Sequence, residues 1–269
     1  MLPRARSVRF ALGAATALAS CLLLFALARS GARHFLFHAS AGVHETPAGF
    51  RARTLRAADG VRVHTLELGV EPSRKTIVYF HNNRESVEQC AGIARTLDAQ
   101  GYGVVLVEYR GYGASSDERA TEAGLYQDAT AALDALATRG IGREQIVLWG
   151  VSLGTGVAAE MAARGRGAEL VLITPYTSIP DVVTSAIPLL PARLLIADPF
   201  ETLAKAARIR VPTLIVHGDA DEIVPYWMGE KLARAIRGAR FVRVPGGHHG
   251  DLFLRAPDKL LREFVRFAG

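Results

Sequence analysis

Apolar, β-branched runs near residues 76–80, 103–108, 145–149, 169–173 and 212–217 read as strands buried on both faces, and 240–244 as a short alternating strand. Between and after them, stretches near 86–100, 122–138, 153–164, 226–237 and 256–267 carry helix formers and predict helices. Strands that alternate with helices predict a mostly parallel sheet with helices on both of its faces. Ahead of this series, Asp59-Gly60 is a hairpin-type turn between Arg53-Thr54-Leu55 and the alternating run Val61 to Leu66. Only Ser178 to Ala207 breaks the rhythm. It is rich in Pro and Leu, with Ile187-Pro188-Leu189-Leu190-Pro191 and then Leu194-Leu195-Ile196, and Arg193 is the one charge from 187 to 196. That segment reads either as helices packed on the core or as a small apolar cap.

The N-terminus follows a different pattern. Phe10 to Ala28 contains no charge, and as a helix would be about 28 Å long, enough to cross a hydrocarbon core. The pattern divides the chain into a basic flank over 1–9, a transmembrane signal anchor over 10–28, a connecting segment over 29–50 and one domain over 51–269. Two alternatives stand beside the anchor. Ala26-Leu27-Ala28 offers a signal-peptidase site, and Leu18-Ala19-Ser20-Cys21 resembles a lipoprotein box, although apolar residues continue after Cys21. Arg4, Arg6 and Arg9 before the span, against Arg29 and Arg33 after it, favour an N-terminus inside and the domain outside the cytoplasm. A cleaved signal would instead leave a secreted or periplasmic protein.

Charge changes the picture only through its location. The net charge is +6 and the pI about 9.6, values that suggest nucleic acid. The five arginines just named lie in the first 33 positions, where there is no acid, so the remainder is nearly balanced. No block of like charge marks a phosphate-binding face, and no nucleic-acid partner is expected. Cys90 has no second cysteine in the domain to pair with.

Gly150-Val151-Ser152-Leu153-Gly154 carries the clearest chemistry. It lies between the strand Gln145 to Trp149 and an Ala-rich helix that Gly165 would end, so it sits on a strand-to-helix turn. Such a turn holds a central serine at strained backbone angles, above the sheet and near the positive end of the helix. A serine hydroxyl needs a base, and the base needs an orienting acid. Two later loops supply candidates, each just past a strand: His217-Gly218-Asp219-Ala220-Asp221-Glu222, and Gly246-Gly247-His248-His249-Gly250-Asp251. The order Ser, acid, His matches one known triad order, and the carboxyl ends of parallel strands are where a site collects.

These motifs, with Glu108-Tyr109-Arg110-Gly111-Tyr112-Gly113-Ala114-Ser115 and Thr121 to Asp128, make the chain from about Arg53 to Phe267 resemble the α/β-hydrolase superfamily. It is most similar to the membrane-anchored serine hydrolases that include protein depalmitoylases and lysophospholipid lipases. The resemblance implies an α/β-hydrolase fold, Asp221 as the triad acid and His249 as the base. Asp219 then reads as a turn cap, and His248 stands where relatives carry a small residue. The oxyanion donors would be the N–H of Leu153 and the position of Asn83, in the loop His81-Asn82-Asn83-Arg84. Relatives carry Gly where this chain has Asn82, and Asn is the residue best able to replace Gly at positive φ. Arg84, a second departure, reads as a solvated side chain or as one at the mouth of the site.

His248, His249 and Asp251 also invite a metal reading, but no further His or Cys cluster supplies a second ligand set, so neither metal nor cofactor is expected. An apolar cap with Ile187, Leu190 and Leu194 as substrate-binding residues favours acyl chains, at about 0.8 kcal/mol per buried methylene. The expected activity is hydrolysis of acyl esters or thioesters through an acyl-enzyme, on a small-molecule or lipid-like substrate. Two alternatives share the fold: a serine peptidase resembling an aminopeptidase, with Glu108 or Glu222 to hold the amine, and a non-catalytic membrane-tethered binding protein.

Overall fold

The computed structural model describes residues 45–269 continuously, and residues 20, 23, 25–27, 29–33, 36 and 37 before them. Eight strands form one sheet: β1 (Arg51–Arg56), β2 (Arg62–Leu68), β3 (Thr76–Phe80), β4 (Gly103–Val107), β5 (Ile146–Val151), β6 (Glu169–Ile173), β7 (Thr213–Gly218) and β8 (Arg240–Val244). Their spatial order is β1-β2-β4-β3-β5-β6-β7-β8. β1 and β2 pair antiparallel, as does β2 with β4, and every other neighbour is parallel. Gly60, at φ +86°, closes the turn between β1 and β2 where Asp59-Gly60 predicts it.

The intervening helices are α1 (Ala91–Asp98), α2 (Glu122–Ala137), α3 (Leu153–Ala163), α4 (Ile179–Ala186), α5 (Ala192–Leu195), α6 (Thr202–Lys205), α7 (Tyr226–Ala235), α8 (Leu252–Arg255) and α9 (Pro257–Ala268). Strand side chains alternate between the two faces. Val78, Phe80, Val105 and Val107 pack with α2, α3 and α7. Ile77, Tyr79, Val104 and Leu106 pack with α1 and α9. A sheet covered on both sides explains strands that are apolar throughout rather than alternating.

One expectation is corrected, one open choice is narrowed, and one lies mostly outside the described residues. The helix expected from residue 86 begins at Ala91. Before it, backbone donors find other acceptors: Ser86 N donates to Gln89 Oε1, and Val87 N to Glu108 Oε2. The 187–196 stretch is not core: Ile187 and Leu194 are exposed and Leu190 is half-buried, while Ala192 alone is fully buried. Most of the expected span Phe10–Ala28 lies outside the described residues, and among the described residues no helix is long and apolar enough to cross a membrane.

The sheet order reverses between β3 and β5, and a crevice opens at such a point beyond the carboxyl ends of the strands. Register sets Phe80 beside Gly150, so the loops that follow them start side by side. β6 and β7 end next to β5, and Gly218 at the end of β7 pairs with Val244 at the end of β8. The loops bearing Asn83, Ser152, Asp221 and His249 therefore all leave one edge of the sheet.

Candidate active site

The turn from β5 into α3 places Ser152 at φ 48°, ψ −114°, a backbone conformation that L residues rarely adopt. Its surroundings hold it there. Ser152 N donates to Ile173 O at 3.0 Å, and Thr155 Oγ1 donates to Ser152 O at 2.6 Å. The helix must pass very close to two strands to make this turn. A Cβ on Gly150 would lie 2.6 Å from the Gly154 carbonyl carbon, and one on Gly154 would meet the Phe80 carbonyl. Both flanking glycines are thus required by space rather than by φ. Leu153 opens α3, where backbone N–H groups have no partner within the helix.

His249 lies between Ser152 and Asp221. Its Nε2 is 2.9 Å from Ser152 Oγ, and its Nδ1 is 2.9 and 3.1 Å from the two Asp221 carboxylate oxygens. A carboxylate only accepts, so the ring proton sits on Nδ1 and leaves Nε2 to receive the serine proton. Asp221 Oδ1 also accepts from Ile223 N at 2.9 Å and Val224 N at 2.8 Å. Burial alone would raise the Asp221 pKa. Hydrogen bonds from His217 and His249, the His249 charge and the Val224 N–H outweigh it, and hold the carboxyl well below the usual carboxylate range. Asp221 is therefore ionised throughout the neutral range.

Asp219, expected to cap its own turn, instead reaches the neighbouring strand and loop. Its Oδ1 accepts from Gly246 N at 2.6 Å and its Oδ2 from Arg243 Nε at 2.6 Å, which ties the acid loop to the base loop. The Arg243 hydrogen bond, then that from Gly246, lowers the Asp219 pKa. His248 turns away from its neighbour to Glu222, with Nδ1 3.0 Å from Oε2, both side chains being exposed. Asp251 accepts from His248 N and pairs with Arg255. The two histidines diverge, and among the described residues no cluster of His, Cys, Asp or Glu is placed to hold a metal ion.

The loop after β3 departs from expectation in one respect: Asn82 is not at positive φ. Its side chain instead accepts from Arg84 N at 2.9 Å, a local turn that a glycine could not make, and Arg84 itself is exposed. Two tyrosines brace this loop. Tyr109 Oη donates to His81 O at 3.1 Å, and Tyr112 Oη donates to Asn83 Oδ1 at 2.6 Å. Both belong to the Glu108-Tyr109-Arg110-Gly111-Tyr112 run, whose sequence signals a relative but not this task. Beneath them, His81 Nε2 and Glu108 Oε1 lie 3.0 Å apart with no exposure.

Two contributors escape the sequence pattern. One is His217, at the end of β7, whose Nε2 is 3.3 Å from Asp221 Oδ2. Its only signal is its place in the His-Gly-Asp-x-Asp run. The other is the segment before residue 45. Asn83 Nδ2 donates to Leu36 O at 2.5 Å, Phe37 meets the Phe200 ring edge-on at 6.3 Å, Arg33 pairs with Asp198, and Arg29 Nη1 donates to Leu194 O at 2.8 Å. Residues expected only to connect thus touch both the Asn83 loop and the 187–200 stretch. The candidate substrate residues Ile187 and Leu194 lie at the surface of that stretch, and Leu190 between them is partly covered.

The comparisons with known proteins bear on the fold and the family. Residues 71–198 match the family model described as serine aminopeptidase, S33, and residues 197–266 the one described as TAP-like protein. The chain is 31% identical over 208 residues to the human alpha/beta hydrolase domain-containing protein 17B, a match covering 74% of this chain and 69% of that protein. An uncharacterized protein of Mycobacterium tuberculosis is 35% identical over 181 residues, covering 66% of this chain and 64% of the relative's own length. Among solved structures, an esterase from Pyrococcus furiosus superposes with a TM-score of 0.71 at 15% identity, covering 87% of this chain and all of that one. The chain belongs to the α/β-hydrolase family.

Proposed function

We propose that this protein is a serine hydrolase that cleaves acyl esters or thioesters through an acyl-enzyme. The hydrogen-bonded line Ser152–His249–Asp221, met at a strained turn, carries the proposal. Ser152 Oγ attacks the acyl carbonyl while its proton passes to His249 Nε2. Asp221 fixes the imidazole by accepting from Nδ1 and balances the imidazolium that forms. Leu153 N–H and the Asn83 loop stabilise the oxyanion, each donor being worth about 3 kcal/mol. The Asn83 side chain is committed to Tyr112 and Leu36, so its contribution would come through its backbone N–H. His249 then protonates the leaving alcohol or thiol, and water repeats the sequence to release the acid.

The acyl preference rests on the flank of the site. Of the large apolar side chains exposed among the described residues, Ile187, Leu189 and Leu194 lie in the stretch after β6, Ile223 and Trp227 in the loop and helix after β7, and Leu254 in the helix after the His249 loop. The remaining three, Leu23, Phe25 and Leu27, lie in the N-terminal segment. An apolar margin at this edge favours substrates with hydrocarbon chains. The family model for serine aminopeptidases keeps a peptidase reading in view. Against it, Glu108 has no exposed surface and cannot meet a substrate amine, which leaves Glu222, exposed beside His248, as the one carboxylate of the two that could. Phe10–Ala28 is proposed on its sequence as the anchor, holding the domain on the extracytoplasmic side. Carbonate extraction of the full chain should leave it in the membrane fraction, and release would remove the anchor from the proposal.

Labelling by a fluorophosphonate, compared between wild type and Ser152→Ala, tests the chemistry. A panel of acyl esters of graded length, with an acyl thioester and an aminoacyl amide, tests the substrate. Rates rising with acyl length and little amide cleavage are expected. A flat profile with preference for the amide would promote the peptidase.

A further inference from the structure

His217 is completely buried, yet it lies beside the acid of the site. Its Nε2 faces two groups that only accept: Val224 O at 3.0 Å and Asp221 Oδ2 at 3.3 Å. A hydrogen must therefore sit on Nε2 and be shared between them. Nδ1, at the other side of the ring, is buried and has no hydrogen-bond partner. A ring whose one nitrogen is left unmet, at a cost, while the other is aimed at Asp221, is badly explained as packing alone. A phenyl ring would fill the same space without stranding a nitrogen.

The ring is also held against rotation. Tyr226 of α7 lies edge-on, with ring centroids 5.8 Å apart. Gly229 of the same helix leaves the space that Nδ1 occupies, since a Cβ there would collide with it. Few other charges reach this place. Arg243 is the register partner of His217 on β8, but its guanidinium is turned to Asp219. The same Val224 residue that accepts from His217 through its carbonyl donates to Asp221 Oδ1 through its N–H. One imidazole thus braces both the carboxylate and the loop that presents it.

We propose that His217 is a positioning residue, which, by donating through Nε2 to Asp221 and Val224, holds the carboxylate turned toward His249. The role rests on the serine-hydrolase reading and acts through Asp221, not on substrate. The direction of its effect follows from charge. A donor to Asp221 disperses the carboxylate charge. Without it, the carboxylate attracts the His249 proton more strongly, and His249 becomes available as a base only at higher pH.

The test uses the full chain as wild type, His217→Phe and His217→Gln, since Gln can place an N–H near the position of Nε2. The second-order rate of fluorophosphonate labelling is followed from pH 5 to 9, and the His249 titration midpoint is read separately by NMR. His217→Phe is expected to slow labelling at pH 7 by about tenfold to a hundredfold and to move the acid limb upward by about half a pH unit or more. His217→Gln should recover the rate to within about threefold of wild type and restore the limb. Should the Phe variant not fold, Gly229→Ala displaces the ring while leaving its chemistry intact, and should move the limb the same way. Equal losses in Phe and Gln, or a slower rate with an unmoved limb, would reduce His217 to a filler of space and overturn the proposal. If wild type does not label, the hydrolase reading fails, and an unchanged His249 midpoint in His217→Phe would overturn this one independently.

Discussion

Asp221 and Leu189 stand about thirty positions apart and show two ways of building one edge of a sheet. The side chain of Asp221 has no exposure, and its oxygens meet two backbone N–H groups and two imidazoles. Leu189, in the stretch after β6, is 96% exposed, and Ile187 and Leu194 near it are also largely uncovered. Burial with complete hydrogen bonding makes the first region specific in geometry, because any misplacement strands a polar group. The second gains little from any single arrangement, so its shape can follow a substrate or surface. On the proposed function, chemistry belongs to the first region and selectivity to the second. Substitutions in the first should act on rate for every substrate, and those in the second on the ranking of substrates.

The largest effect expected is at the base. His249→Ala should lower kcat/KM for all acyl chain lengths by about a thousandfold or more. His248→Ala should keep at least about a tenth of activity, because an exposed pair with Glu222 contributes little. Steady-state assays on one short and one long ester check both. If the two histidines exchange their effects, the site is not built on the line from Ser152 through His249 to Asp221.

Leu190→Asp sharpens the comparison from the other side. It is expected to lower kcat/KM on long-chain esters by about tenfold while leaving acetate within about twofold, since each methylene kept from water is worth about 0.8 kcal/mol. Equal losses on both would merge the two regions into one. Smaller still should be the effect of shortening the chain. A chain beginning at Arg29 keeps Arg33, Leu36 and Phe37, whereas one beginning at Glu45 loses the contacts to Asn83, Asp198 and Phe200. The longer of the two should exceed the shorter by a few-fold in labelling rate, at about the cost of a hydrogen bond. Identical rates would return residues 29–37 to a connecting role.

The smallest effect is on stability. A carboxyl held below its unfolded value adds stability that is present above that value and is lost as pH falls through the folded one. For Asp221 the unfolded value is near 3.8, and the window lies below it. In a His249→Gln background, which removes the titration of that ring, the melting-temperature gap between Asp221 and Asp221→Asn should hold steady from pH 8 to 5. It should narrow only below about pH 4. Narrowing near neutrality would mean that the carboxylate is not held as described.

The alternation of strand and helix was legible in the chain because a sheet covered on both faces demands apolar runs, and the glycines of the elbow because only they admit the approach of α3 to β3 and β5. Chain order alone put a serine, two acids and two histidines at strand ends. Resemblance chose Asp221 and His249 among them, and the structure brings those two to Ser152. Sequence pattern is local, and here its reach ended. That Asn82 would make a side-chain turn rather than take positive φ depended on Arg84 N being within reach. That Tyr109 and Tyr112 would brace the loop after β3 depended on β4 lying beside β3, a neighbour relation that no periodicity reports. Leu36 and Phe37 carry no pattern at all, and His217 only its place in the His-Gly-Asp-x-Asp run. They matter through partners 4 to 163 positions away, and only the folded chain sets such distances.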